Sequence, residues 1–194
     1  MIFSDFKITR KDQNMSTINE YTPNIRCIEY KQDSSDKDYG SCLYARFYLN
    51  LDRFELSIIS DCGSYGYKWV ETKETFPHLL ARMDAGYLIG KIYGHANIFD
   101  FEKTKQAFYD LAGDDPKYAK YFDDEFTSEP EDERDFIDLV HSEWPDEFDD
   151  CELWNCMEYM YPGDILKIGE VFEQHIKPYI QQHMVEESLD IFGL

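Results

Sequence analysis

Four segments in the first part of the chain are rich in β-branched and aromatic residues, and short turn candidates separate them, which predicts β-strands. The predicted strands are residues 24–30, 42–49, 53–59 and 64–70, with turns at residues 50–52 and 61–63. In the third strand Phe54, Leu56 and Ile58 fall on one face and polar residues on the other. This spacing favours an antiparallel meander with one buried face and one face in water.

From residue 75 onward the apolar residues recur at the spacing of a helix. Thr75 is the predicted N-cap of a first helix, and Gly86 is its predicted end. The apolar positions of this helix are Phe76, Leu79, Leu80 and Met83. A second helix is predicted from Asp100, as its N-cap, to Gly113 at the C′ position. Residues 87–93 fit either a helix or a short strand.

An acidic helix is predicted at residues 130–144, where Phe136, Val140 and Trp144 recur every four residues. Acidic residues occupy other positions of the helical wheel. We therefore expect the apolar stripe to be buried and the carboxylates to face water. An acidic loop is predicted to follow at residues 145–150.

The last helix is predicted to begin at Asp164 as its N-cap. Its apolar stripe consists of Ile165, Ile168, Phe172, Ile176 and Tyr179. Pro178 is expected to interrupt the helix, because proline has no backbone N–H to donate.

A run of strands followed by a run of helices predicts an α+β fold. We expect an N-terminal antiparallel sheet of about three to five strands, packed against C-terminal helices, with an acidic helical segment. The chain is predicted to be a single domain over residues 1–194. Its predicted parts are a loose arm (1–20), the sheet (24–70), helices (74–113), the acidic segment (114–152) and a C-terminal helical part (153–194).

The number and distribution of acidic residues indicate which classes of function are excluded. The chain of 194 residues has 40 Asp and Glu against 19 Lys and Arg, a formal net charge of −21. Residues 114–152 alone contain 17 acidic and 3 basic residues. A charge of this sign repels phosphate backbones and anionic lipid, so we expect neither direct nucleic-acid binding nor membrane binding.

The concentrated carboxylates are predicted to bind a basic partner by imitating phosphates. Neighbouring carboxylates on one helix face lie about 5–6 Å apart at Cβ, against about 3.4 Å between successive phosphates of one DNA strand. The alternative is a solvated face that keeps the protein soluble. The candidate partner-binding residues are Asp123, Asp124, Glu125, Glu131, Asp135, Asp138, Glu143, Asp146, Glu147, Asp149 and Asp150.

Motifs for catalysis or metal binding do not occur in the sequence. The Gly-rich phosphate-binding motifs and the nucleophile elbow are absent, and the Asp pairs at residues 123–124 and 149–150 lack the rhythm of a calcium loop. Cys151 and Cys156 have no matching second pair. The histidines show no metal-ligand spacing; they are His78, His95, His141, His175 and His183. We therefore expect no catalytic residue, no metal and no cofactor.

The five cysteines are predicted to be reduced thiols, because their number is odd and no signal peptide precedes them. Cys62 lies in a predicted exposed turn, a geometry that a nucleophile uses. The neighbouring Asp61 opposes that role, because a thiolate needs positive surroundings to lower its pKa. With no targeting segment and no long apolar stretch, a cytoplasmic protein is predicted.

Two segments carry a resemblance to a known group of proteins: residues 57–69, SIISDCGSYGYKW, and residues 74–92, ETFPHLLARMDAGYLIGKI. They resemble small phage- and prophage-encoded proteins of unassigned role, over roughly residues 43–113. Residues 172–180, around the sequence HIKP, look similar as well. These motifs are structural and mark no catalytic residues.

Phage chains this acidic are similar in character to DNA-mimicking inhibitors of host defence, including anti-CRISPR proteins. That resemblance implies a host nuclease complex as partner. We therefore predict a non-enzymatic inhibitor, acting in the cytoplasm of the bacterial host, that binds a basic nucleic-acid-binding surface of a CRISPR–Cas-like complex. Two alternatives stay open: an immunity-type protein that neutralises a basic toxin, and a cysteine- or metal-dependent enzyme.

Overall fold

The computed structural model describes residues 20–113, 115–122 and 129–185. These residues form a four-stranded antiparallel sheet followed by helices, which confirms the predicted α+β fold. The predicted loose arm lies outside the described residues except for Glu20.

The sheet is a meander in which each strand pairs with the next strand along the chain. Its strands are β1 (Ile25–Lys31), β2 (Tyr44–Asn50), β3 (Glu55–Ser60) and β4 (Gly63–Lys68). Each lies within about two residues of its predicted bounds, as expected of boundaries taken from sequence. The turn between β2 and β3 reaches Phe54, which has a φ of 54° and still buries its side chain.

The alternation of apolar and polar residues places one face of the sheet in the core. Phe47 pairs with Ile58, and Leu49 pairs with Leu56, so these four buried side chains share the inner face. Ser57, between two of them in sequence, is exposed on the outer face. Helices of the first buried cluster pack against this inner face.

Two helices follow the sheet instead of the one predicted. They are α1 (Phe76–Arg82) and α2 (Ala85–Ile92). The prediction that the first helix ends at Gly86 is wrong, because the Asp84 carboxylate accepts a hydrogen bond from the N–H of Tyr87 and starts a new helix. Gly86 lies in the first turn of α2, and the ambiguous segment 87–93 is helical as far as Ile92.

Of the predicted helix caps in this region, Asp100 and Gly113 act as predicted and Thr75 does not. Thr75 occupies the N-cap of α1, but its hydroxyl lies 2.8 Å from Nδ1 of His78 and does not cap the backbone. Asp100 caps the next helix as predicted, accepting from the N–H of Lys103 at 3.1 Å. Gly113 follows the C-cap of that helix with a φ of 72°, the left-handed conformation that glycine adopts without strain.

The acidic segment folds into short helices. Helix α3 (Phe101–Leu111) precedes the segment, and the described part of the segment contains α4 (Pro116–Lys120), α5 (Glu133–Glu143) and the start of α6 (Asp150–Trp154). A two-stranded antiparallel ribbon of β5 (Ile98–Phe99) and β6 (Tyr159–Met160) brackets them. The chain enters these helices through β5 and leaves them through β6.

The C-terminal helix differs from its prediction at both ends. It comprises α7 (Gly163–Val171), a π-helical turn (Phe172–Ile176), α8 (Lys177–Ile180) and a second π-helical turn (Gln181–Val185). The N-cap is Pro162, so the prediction of Asp164 is wrong by two residues. The first π-helical turn ends at Ile176, and Pro178 lies in the first turn of α8, where a residue without an N–H is tolerated. The π-helical turn shifts the positions that face the core, so Ile180 is buried and Tyr179, which was predicted to be on the apolar stripe, is exposed.

The buried residues form two clusters. The first cluster joins the inner face of the sheet to α1, α2 and the C-terminal helix. The second cluster joins α3, α4, α5 and α6 and is largely aromatic. The helices of the second cluster, α3 to α6, lie between α2 and α7 in the chain. These helices, which we call the acidic helices, are therefore an insertion into the part of the chain that forms the first cluster. None of the described helices has both the length and the apolarity that a membrane span requires.

Candidate acidic interaction surface

Helix α5 presents carboxylates to water because its opposite side is buried. Asp132 caps the helix, and its carboxylate accepts hydrogen bonds from the N–H groups of Arg134 and Asp135, both at 2.9 Å. Phe136 and Val140 are fully buried in the second cluster. Helical spacing then directs Asp135, together with Asp138, away from the core.

Aromatic contacts fix the position of α5. The ring of Phe136 stacks on that of Phe122, with centroids 6.1 Å apart and planes 7° apart, and meets the ring of Phe108 edge-on at 5.8 Å. Trp144, the C-cap, meets the ring of Tyr118 at 4.9 Å. The prediction that Trp144 is buried is wrong in degree: it packs at the edge of the cluster and is only partly buried.

Four predicted carboxylates, which we call the α5 carboxylate face, lie exposed on this helix or just before it. They are Glu131, Asp135, Asp138 and Glu143. Within the described part of the chain, none of them has a hydrogen bond or an ion pair through its side chain. Asp146 is also exposed and unpaired there, in the turn after α5, where it has a φ of 68°.

Glu147 has a structural role that the sequence did not predict. Its Oε2 atom accepts from Nζ of Lys117 and from the hydroxyl of Tyr118, both at 2.6 Å. Lys117, and then Tyr118, hold the pKa of this carboxyl below its ordinary value. Glu147 therefore joins the turn after α5 to α4 and is committed to internal contacts.

The last two predicted carboxylates, Asp149 and Asp150, also have internal partners. Asp149 caps α6 by accepting from the N–H of Glu152 at 2.8 Å, and the Glu152 carboxylate accepts from the N–H of Asp149 in return. Asp150 lies 2.8 Å from Nε2 of His141. Three other predicted residues, Asp123, Asp124 and Glu125, lie outside the described residues.

The residues that shape this surface include two that the sequence prediction missed. Asp132 and Glu152 hold the helix ends and were not among the predicted site residues. The sequence contains a signal for Glu152, because an Asp at 149 followed three residues later by a Glu has the spacing of a capping box.

The expectation that Cys62 is exposed is wrong. Its side chain is only 5% exposed, and its thiol donates to the carbonyl of Ser41 at 3.2 Å. Burial raises the pKa of this thiol, which opposes its activation as a nucleophile. All five cysteines are free thiols, as predicted. Among the described residues, one set of potential metal ligands comes together, formed by Cys42, Asp61 and Cys62.

Comparison with known proteins gives one match. The model of the family Phage_phiTE_072, described as a phage family, matches residues 24–182. The match extends well beyond the segments whose motifs carry the resemblance and runs through the whole acidic segment. No significant match was found among the curated proteins or among the solved structures.

Proposed function

Because the chain belongs to the phage family Phage_phiTE_072, we propose that it is a non-enzymatic phage protein that inhibits a host defence complex. The α5 carboxylate face binds a basic surface of that complex which otherwise holds nucleic acid. The observation that carries this proposal is a set of exposed carboxylates that have no side-chain partner among the described residues, on a helix docked by its aromatic side.

The α5 carboxylate face has no ion pair with the part of the chain that the structure describes, which favours binding to a cation of another molecule. A carboxylate such as Glu147 already accepts from Lys117, and the charge of that lysine reduces the attraction of Glu147 for a second cation. Asp135, Asp138 and Glu143 have no such contact in the described chain and exchange only water for a guanidinium or ammonium group.

The dimensions of the face suit a phosphate row. From Asp135 to Glu143 the helix rises about 12 Å at 1.5 Å per residue, which equals about three to four nucleotides of one strand. Asp135 and Asp138 are three residues apart, so their Cβ atoms lie about 5–6 Å apart. A groove that spaces its Arg and Lys side chains for phosphates can therefore contact several of these carboxylates together.

The aromatic cluster beneath α5 supports affinity as well as folding. Phe136 and Val140 anchor the helix, so the carboxylates keep their spacing before the partner arrives. Binding by a preformed surface avoids the entropy cost of ordering a flexible acidic segment. The net charge of −21 steers the protein toward a basic surface, and this steering weakens as salt screens it.

A matched pair of triple variants tests the proposal. Asp135→Asn, Asp138→Asn and Glu143→Gln together remove the charge of the face. Glu20→Gln, Glu71→Gln and Glu158→Gln remove the same charge from exposed positions elsewhere. Each version is used to recover partners from a lysate of a phage-susceptible bacterium at low and at moderate salt.

We expect the first variant to lose a partner that the wild type and the control variant retain. Short single- or double-stranded nucleic acid should compete with the wild type for that partner, and moderate salt should weaken the complex. Equal recovery by all three versions would contradict the proposal. A partner that depends on the face but is indifferent to nucleic acid would instead support the immunity-type role.

A further inference from the structure

A group of potential metal ligands lies in the first hydrophobic cluster, away in sequence from the acidic helices. Sγ of Cys42, a carboxylate oxygen of Asp61 and Sγ of Cys62 all lie within 4.8 Å of one another. Asp61 and Cys62 form the turn between β3 and β4, and Cys42 precedes β2. The pairing of β2 with β3, in which Ala45 lies opposite Ser60, brings the two cysteines together.

Both thiols are held in place inside the protein. Cys42 is fully buried and Cys62 is 5% exposed. The thiol of Cys42 donates to the carbonyl of Tyr44 at 3.6 Å, and that of Cys62 donates to the carbonyl of Ser41. The hydroxyl of Tyr65 donates to the carbonyl of Cys62 at 2.6 Å, which fixes the backbone of the turn.

Asp61 completes the group from the solvent side. Its two carboxylate oxygens accept from the N–H groups of Leu43, at 2.8 Å, and Tyr44, at 3.3 Å. A carboxylate oxygen has a second lone pair, so each oxygen can still bind a cation. Outer hydrogen bonds of this kind orient the carboxylate ligands of metal sites.

We propose that Cys42, Asp61 and Cys62 bind a thiophilic divalent cation of the Zn²⁺ type. Two thiolates and one carboxylate match the ligand preference of Zn²⁺, and the exposed side of Asp61 leaves a fourth position for water. Zinc–ligand distances of about 2.0–2.3 Å place tetrahedral donor atoms about 3.3–3.8 Å apart. Because the ligand atoms lie within 4.8 Å of one another, they need to approach by about 1.0–1.5 Å at most. This site is independent of the α5 carboxylate face.

Binding must release the protons of both thiols. Burial raises the pKa of Cys42 to about 12 and also raises that of Cys62, so both are thiols near neutral pH without metal. The charged groups of α7 that act on Cys62 are Asp164, which favours the thiol, and Lys167, which favours the thiolate. The cation takes the place of two thiol protons, which pass to solvent.

Native mass spectrometry of the full chain with Zn²⁺ and a phosphine reductant tests this site. We expect one zinc per chain and a mass equal to protein plus zinc minus two protons, and a chromogenic chelator should report a matching affinity. Titration with Co²⁺ should produce a sulfur-to-metal absorption band. Cys42→Ser and Cys62→Ser should each abolish stoichiometric binding, and Asp61→Asn should weaken it.

Cys27→Ser and Cys151→Ser, which alter exposed thiols, are the matched controls and should bind like the wild type. Circular dichroism checks the fold of each variant, and the sulfur-to-metal band of the wild type with Co²⁺, which carboxylate and imidazole ligands do not produce, keeps the test decisive if a variant unfolds. No stoichiometric zinc in the wild type would overturn the proposal. Binding that survives Cys42→Ser and Cys62→Ser, or is lost in the controls, would overturn it as well.

Discussion

Replacing Phe136 by Ala is expected to loosen the acidic helices before the sheet. Phe136 is fully buried, and its ring contacts those of Phe99, Phe101, Phe108 and Phe122. Truncating a buried Phe to Ala costs about 3–5 kcal/mol. Each aromatic pair contributes about 0.5–1.5 kcal/mol beyond burial, so we expect a loss in the upper half of that range. This is a large fraction of a domain's usual stability of about 5–15 kcal/mol.

The loss should be local, because Phe136 belongs to the second cluster and none of its residues is shared with the first. Native-state hydrogen exchange measures this: in the Phe136→Ala variant the amides of α5 should exchange much faster, while those of β2 and β3 keep their rates. Phe136→Leu is the control, since it keeps much of the buried apolar volume and should cost less than Phe136→Ala.

A Phe136→Ala protein with the urea midpoint and the α5 exchange rates of the wild type would refute the packing of α5 described above. An equal acceleration of amide exchange in β3 would refute the independence of the two clusters.

Three further perturbations test other parts of the structure. Moderate salt should raise the melting temperature, because it screens the repulsion within the α5 carboxylate face; a temperature that salt leaves unchanged or lowers would exclude this repulsion as a weak point. Hydrogen bonds from Lys117 and Tyr118 lower the pKa of Glu147 from its ordinary 4.5, so its stabilising contribution is present above that value and is lost as the pH falls through the lowered pKa. Glu147→Gln should therefore lower the melting temperature at neutral pH and leave it unchanged in strong acid, and a loss of equal size at both pH values would contradict the role of this charge. Gly169→Ala would place a Cβ 2.6 Å from Cδ1 of Ile89, so we expect a loss of about 1–3 kcal/mol by urea denaturation, against no loss for Gly90→Ala, whose Cβ would meet nothing within 4 Å.

Local patterns predicted the elements well where a single periodicity was uninterrupted. The alternation in β3 predicted that Leu56 and Ile58 face the core, and the spacing of Phe136 and Val140 predicted the buried side of α5. The prediction was wrong at Gly86, because a glycine marks a helix end only when no competing cap lies nearby, and Asp84 starts a helix two residues before it. It was wrong at Tyr179 because a π-helical turn shifts the register that a constant 3.6-residue period assumes.

The charge of the sequence predicted where the candidate site lies, but only contacts in the structure showed which of its carboxylates have internal partners. Sequence identified the acidic segment, yet it could not separate Asp135, which is exposed and has no side-chain partner in the described chain, from Glu147, which is bonded to Lys117 thirty residues away. Both are acidic residues in an acidic stretch. The difference is a distance between side chains of separate elements, and such a distance has no periodic trace in sequence.

The sequence by itself determined the fold class, the concentration of negative charge and the amphipathic character of α5, because these depend on residue type and on spacing within a few turns or one strand. Tertiary structure alone decided which carboxylates remain without partners and that Cys42 and Cys62 meet beside Asp61. The two cysteines are twenty positions apart and follow no ligand spacing. They meet because β2 and β3 pair in one register, and that register depends on the burial of the whole inner face of the sheet.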